Sequence, residues 1–294
     1  MGSRHPLAGR RVTRMNGAGN AILVLDMRGS PCRPAPEDAR AIHRAPGLGY
    51  DQLMVLRDPR TAGTAAHVLI ANNDGTLAEA CGNGTRCVAD RLCRELGLSA
   101  VKIETAAGII ACERLGPWTY RVDMGAPRLK WNEIPLARAV EDTTRVELSW
   151  PEGHAAKRLG PASVVNMGNP HAVFFVPDLE RIDAADLGPR IEVHPLFPDK
   201  ANVTFAQVIA RDDVKARVWE RGVGLTQACG SAACATLVAA SRLGLMARNA
   251  TVRLPGGELA IEWRASDDRV MMTGPVELEG ELVLDDALFE AAPP

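Results

Sequence analysis

LAEACGNGTRC at 77–87 and LTQACGSAAC at 225–234 are two versions of one phrase, each placing a cysteine and a glycine at the start of a helix-like stretch. Each is followed by an Ala/Leu/Val-rich segment that closes in LGL, at 96–98 and at 243–245. Later strand-like segments match too, VDMGAP at 122–127 and VMMTGP at 270–275. Cys81 to Cys229 and Pro127 to Pro275 are both steps of 148 residues, and Ala21 of AILVLD to Ala172 of AVFFVPD is a step of 151. A repeat this long is a duplicated domain and not a solenoid unit. The expected fold class is α/β (α+β): two pseudo-symmetric domains, each a mostly antiparallel sheet wrapped around a central helix, with the active site in the cleft between them.

Length and composition agree. The 294 residues suffice for about two domains, and 46% hydrophobic with 24% charged residues is the balance of an ordinary globular protein. A net charge of −2 gives no electrostatic footprint for nucleic acid. No run of about 18 apolar residues suggests a membrane span. The basic start MGSRHPLAGRRVTRM lacks the apolar core of a secretory signal, and Pro6 breaks the myristoylation pattern. Seven scattered cysteines, an odd number without closely spaced pairs, point to free thiols in a reducing cytoplasm.

The N-terminal domain is expected over 1–131, with Cys81 opening its central helix, and the C-terminal domain over 132–294, with Cys229. The final strand is expected to return to the N-terminal half. Apolar patterning predicts strands at 22–26, 53–56, 67–71, 101–104, 109–112 and 119–124 around a helix over 81–97. In the second half it predicts strands at 145–149, 163–166, 172–176, 203–210, 214–219, 251–254, 259–263 and 269–272 around a helix over 229–245. Arg128 to Asp142 reads as the linker. The second helix, ACATLVAASRL, is apolar on every face and should be buried all round. The first carries Arg86, Asp90, Arg94 and Glu95, so a single buried stripe of Val88, Leu92 and Leu96 is expected.

A thiol at a helix N-terminus meets the positive end of the dipole and unpaired N–H groups, which favour thiolate. The same N–H groups cradle an anion, and glycine lets it approach. CGNG and CGS therefore read as two helix starts converging on one carboxylate flanked by two thiols. That arrangement suits inversion at Cα, which takes a proton from one face and returns one to the other, while helix dipoles stabilise the charge that develops on the carboxylate. No metal or electron-sink cofactor is required. Cys32, Cys87, Cys93, Cys112 and Cys234 read as core thiols, and the spacings from Cys81 to Cys87 and from Cys229 to Cys234 do not suit zinc. NGAGN at 16–20 and GLG at 47–49 are too short for a dinucleotide fingerprint.

These residues also carry a family resemblance. MNGAGN at 15–20, GLGYDQ at 47–52, ANNDG at 71–75, ACGNGTRC at 80–87, GNPHAV at 168–173, HPLFP at 194–198, ANVTF at 201–205 and WERGVGLTQACGS at 219–231 resemble the diaminopimelate epimerases, within the wider group that includes proline racemase-like enzymes. The resemblance spans nearly the whole chain. It implies a curved sheet around a central helix in each half, a homodimer, no pyridoxal phosphate or metal, and interconversion of LL- and meso-diaminopimelate for lysine and peptidoglycan synthesis.

Position by position, the resemblance implies that Cys81 and Cys229 are the acid/base pair, with His171 and Glu220 assisting. Gly82, Asn83, Gly230 and Ser231 would surround the reacting end, and Asn20, Gln52, Asn72, Asn169, Asn202, Glu220 and Arg221 would contact substrate. A substrate with ammonium and carboxylate groups at both ends suits several neutral amides, one acid and one arginine fork. The family's MHGLGNDF is altered here: Asn16 replaces the histidine, and Ala21 and Ile22 replace the Asp-Phe. Ala232 stands where a glycine is common, a methyl group that should be tolerated.

Three other readings compete. A proline or hydroxyproline racemase would share the cysteine pair but have no distal charged group for Arg221. A catalytically silent amino-acid binding protein would show no exchange of the Cα proton with solvent. A redox sensor would switch a partner or activity through its thiols.

Overall fold

The computed structural model describes residues 4–78 and 80–289. They form two compact units, one running to Val122 and resuming at Gly274, the other Asp123–Thr273.

In the first unit the chain runs β1 (Arg11–Asn16), β2 (Ala21–Asp26), α1 (Pro36–Arg44), β3 (Gln52–Arg57), β4 (Ala66–Asn72), β5 (Leu77–Ala78), α2 (Gly82–Leu96), β6 (Ala100–Thr105), β7 (Gly108–Gly116) and β8 (Thr119–Asp123). Neighbouring strands pair antiparallel except at β2–β3 and β4–β6, which are parallel. Parallel neighbours need a crossover, and α1 and α2 supply the two. The second unit runs β9 (Ser163–Asn166), β10 (Pro170–Phe175), α3 (Ala184–Glu192), β11 (Asn202–Ala210), β12 (Asp213–Glu220), β13 (Gly224–Thr226), α4 (Gly230–Arg242), β14 (Asn249–Leu254), β15 (Gly257–Trp263) and β16 (Val270–Pro275). Its pairings repeat the first unit strand for strand, parallel only at β10–β11 and β12–β14. β17 (Glu277–Val283) has no counterpart and pairs antiparallel with β1.

Each sheet takes a helix on either face in the same way. Leu23, Leu25, Leu53 and Val55 form one apolar cluster with Ala39 and Ile42 of α1, and Ala172, Phe174, Val203 and Phe205 form another with Leu187 and Ile191 of α3. Side chains alternate along a strand, so Gln52, Met54, His171 and Asn202 lie on the opposite face. α2 contacts β2, β3, β6 and β7, and α4 contacts β9, β10, β11, β12, β14 and β15.

α4 is buried from Ala232 to Ala240, as its uniformly small apolar sequence predicts. α2 departs from the one-sided burial expected of it. Arg86 is fully buried and Asp90 nearly so, while Leu96 is 46% exposed. The polar groups are buried because they have partners: Arg86 Nε donates to the Pro275 carbonyl at 3.3 Å, and Asp90 accepts from Arg94 Nε at 2.8 Å and from the Tyr120 hydroxyl at 3.0 Å. Leu96 lies in the last turn, just before Gly97 (φ 67°) ends the helix in the left-handed conformation that glycine adopts without strain.

Two other expectations differ. The stretch 128–142 is part of the second unit, with Ile134 and Leu136 buried in its core. At 145–149 only Val146 makes a bridge, to Ala162, and no strand forms. Among the described residues no helix is long and apolar enough to cross a membrane.

Candidate active site

Both cysteines are helix N-caps in extended backbone, Cys81 before α2 (φ −145°, ψ 101°) and Cys229 before α4 (φ −134°, ψ 112°). The repeated sequence phrase is therefore a repeated structure, a strand end followed by a helix start.

In the first unit, Cys81 is half-buried. Its sulfur accepts the Gly84 N–H at 3.3 Å and lies 3.5 Å from Gln52 Oε1. Gln52 opens β3 and is in register with Asn72 at the end of β4. Asn72 closes its own turn, donating from Nδ2 to Thr76 Oγ1 at 3.0 Å. Asn20 is buried before β2, and its Oδ1 has no hydrogen-bond partner among the described residues. The altered loop closes on itself: Asn16 Oδ1 accepts the Gly19 N–H at 2.7 Å, and the Gly17 N–H donates to the Asn20 carbonyl at 3.0 Å. That brings Gly17 against Asn83, whose carbonyl oxygen would lie 3.0 Å from a Cβ at Gly17. Gly84 is equally confined, since a Cβ there would sit 2.6 Å from Met54 Sδ. The glycines of both motifs thus let the loop, β3 and the helix start meet.

In the second unit, Cys229 is 6% exposed and its sulfur lies 3.5 Å from Ser231 Oγ. Burial, reinforced by the charge of Glu220, holds its pKa well above the ordinary thiol value, against the opposing pull of Ser231 and the Ala232 N–H. The sequence expectation that the helix start would favour thiolate is reversed at this cysteine: desolvation disfavours the anion more than the local donors stabilise it. Glu220 Oε1 accepts from Thr226 Oγ1 at 2.6 Å. His171 is completely buried, with Nε2 2.7 Å from Asn169 Oδ1. Burial and then the charge of Arg221 push its pKa down to about 3. It is a neutral imidazole, and Asn169 Oδ1, which can only accept, fixes the proton on Nε2. Asn202 donates to the Pro170 carbonyl at 3.1 Å and accepts the Arg221 N–H at 3.0 Å. The Arg221 guanidinium donates to the Asp199 carbonyl at 3.1 Å.

Strand register relates the two sets. Ile22 faces Gln52 as His171 faces Asn202, so Asn20 corresponds to Asn169, Gln52 to Asn202 and Ile22 to His171, and Ala172 matches Leu23, not the Ala21 that the apolar runs suggest. Thr204 likewise takes the place of Met54, and Ala232 that of Gly84. The helix methyl gained in one unit coincides with a smaller strand residue.

The structure brings Gln52 to Cys81, Asn169 to His171, and Asn202 to Arg221. Asn20 precedes β2 and Asn72 ends β4, the two strands on either side of β3, which Gln52 opens. Sequence reading missed Trp219 and Glu192. Trp219 Nε1 donates to Glu192 Oε2 at 2.7 Å, and the Gly222 N–H donates to Glu192 Oε1 at 3.0 Å. The Gly188-Pro189 pair inside α3 reads as a helix breaker and hid that helix. Among the described residues no group of three or more His, Cys, Asp and Glu side chains could hold a metal ion.

A family described as diaminopimelate epimerase matches residues 12–130 and 163–279. The diaminopimelate epimerase of Methylocella silvestris is 54% identical over 288 residues, covering 98% of this chain and 99% of that protein. That of Rhodopseudomonas palustris is 53% identical, covering 97% and 98%. Among solved structures, a probable proline racemase from Agrobacterium radiobacter K84 superposes with a TM-score of 0.68 at 14% identity, over 96% of this chain and 94% of that one. A hydroxyproline epimerase from Agrobacterium vitis gives 0.67 at 16% identity, over 94% and 90%. At such identity these two show a shared fold, whereas the first two share sequence along their full length: the chain belongs to the diaminopimelate epimerase family.

Proposed function

We propose that this chain interconverts LL- and meso-diaminopimelate by moving one proton off and another onto a single Cα, with Cys81 and Cys229 as the two acid/base groups. The observation that carries the reading is the occurrence of the same N-cap cysteine before the corresponding helix of both units.

The two thiols have unequal surroundings. Cys229 is held protonated by burial and Glu220, so it is the acid that delivers a proton in the first turnover, and Cys81 is the base. The reverse reaction starts from the state the forward one leaves, with Cys229 as the thiolate base and Cys81 as the thiol acid; Glu220, beside Cys229, assists that cysteine's return to the protonated form. Helix N–H groups of Gly82, Asn83, Gly230 and Ser231 stabilise the charge developing on the substrate carboxylate. Asn20, Gln52, Asn72, Asn169, Asn202 and Arg221 hold the polar ends, and neutral His171 contributes no competing charge. No metal or pyridoxal phosphate takes part. The protein works in the cytoplasm as a homodimer, which sedimentation analysis tests.

The decisive specificity test supplies LL-diaminopimelate, L-proline and trans-4-hydroxy-L-proline separately and resolves the stereoisomers formed. Meso-diaminopimelate should appear with the first, and the ring substrates should stay unchanged. Faster inversion of either ring substrate would overturn the reading.

A further inference from the structure

Glu192 ends α3, outside the motifs that carry the resemblance, yet the residue is 6% exposed and both carboxylate oxygens are engaged. One oxygen accepts from the Trp219 indole at 2.7 Å, the other from the Gly222 N–H at 3.0 Å, and Lys200 Nζ lies 3.6 Å from the latter. Residues 219 and 222 flank Glu220 and Arg221, so one buried carboxylate holds both ends of the turn that presents these two side chains. The helix is shaped for this. Gly188 lies one turn before Glu192 on the same face, and a Cβ there would sit 2.5 Å from Trp219 Cγ, so the indole lies directly on the helix with its N–H reaching Glu192. Gly222 itself has φ 74°, a left-handed turn position that this amide bond pins.

We infer that Glu192 is a positioning residue, which sets the grip of Arg221 on substrate by clamping the Trp219–Gly222 turn to α3. The inference rests on the reading of Arg221 as a substrate contact. Glu220 has a separate anchor in Thr226 at 2.6 Å. Arg221 relies on the turn for its direction: the Val223 N–H to Glu220 carbonyl bond and the β12–β13 ladder close the hairpin on itself, and Asn202 and Asp199 hold Arg221, whereas the Glu192 carboxylate ties Trp219 and Gly222 to α3. Loss of the clamp therefore falls on substrate binding more than on turnover.

The test uses acceptor arithmetic. Glu192→Gln offers one acceptor oxygen to two donors and sets an NH2 against the other. KM for diaminopimelate should rise at least about tenfold, the factor expected for one charge-assisted hydrogen bond, with kcat within about threefold. Adding Trp219→Phe removes one donor and leaves the Gln oxygen for Gly222, so the double variant E192Q/W219F should bring KM back to within about threefold of the parent. A purely structural role predicts the opposite, a lower melting temperature with unchanged KM in E192Q or a double variant worse than the single, and either result overturns the inference. If E192Q alone does not fold, E192Q/W219F is compared with E192L/W219F, in which Gly222 has no acceptor: KM should be at least about tenfold higher in the latter, and equal values overturn the inference. Arg221→Lys runs alongside. A KM raised by Arg221→Lys and not by E192Q rejects the clamp alone, whereas a KM unmoved by Arg221→Lys rejects the substrate role of Arg221 and the clamp with it.

Discussion

Gln52 Oε1 lies 3.5 Å from Cys81 Sγ, while Asn202, at the matching strand position of the second unit, turns instead to the Arg221 N–H and the Pro170 carbonyl. The same strand position thus serves the thiol in one unit and the Arg221 turn in the other. Gln52→Leu should lower kcat roughly 2- to 10-fold, the worth of one ordinary hydrogen bond, a larger change than its effect on KM. Asn202→Leu should act mainly on KM. Steady-state kinetics of the two variants checks the split, and equal effects on both parameters would refute it.

Replacement of either cysteine by alanine should stop net epimerisation. Loss of a general acid or base costs about 10²- to 10⁴-fold. Both variants should keep the parent's circular dichroism and melting behaviour. Turnover within tenfold of the parent in either one would remove that cysteine from the mechanism.

His171 makes stability sensitive to acid. Its pKa is depressed to about 3 by burial and by Arg221, below the unfolded value of about 6.5. The unfolded chain therefore binds the proton first, so stability present above pH of about 6.5 is lost as pH falls towards 3. By pH 4 the loss is on the order of 3 kcal/mol. His171→Gln keeps a donor for Asn169 and has no proton to gain. Denaturant unfolding at pH 7 and pH 4 should show a smaller drop in the variant, and parallel drops would show that His171 is not buried neutral.

Gly84→Ala should destabilise the first unit by about 1–3 kcal/mol through overpacking, because its Cβ would sit 2.6 Å from Met54 Sδ. Met54→Val in the same chain makes room, so the double variant should recover part of that loss. Thermal melts of both variants check the coupling. Strict additivity would mean that Met54 is not what confines Gly84.

The duplication was legible because it is written twice in short motifs, and the extended apolar runs located most strands to within a few residues. α1 was missed because PEDARAIHR has only Ala39 and Ile42 to bury, too short a pattern to show a period. α3 was missed because Pro189 lies inside it. The burial of α2 was misread for a different reason. Arg86 and Asp90 look solvated in sequence, and only their tertiary partners Pro275 and Tyr120 reveal them as core. The raised pKa of Cys229 was equally out of reach: the helix-start motif advertises the stabilising N–H groups, whereas desolvation depends on strands far away in the chain. Glu192 shows the same limit, since its partners lie 27 and 30 residues on.

Two thiols acting on one Cα, one removing its proton and the other supplying a solvent-derived one, leave an isotopic signature. Purified protein is incubated with LL-diaminopimelate in deuterated water, and the first meso product is isolated before equilibrium. Each inverted centre should carry one deuterium at Cα while the unreacted LL pool stays essentially protiated, because the proton arrives from a different group than the one that took it. Meso product that retains its original Cα hydrogen would mean that a single base removes and returns the same proton, and the two-thiol account would be wrong.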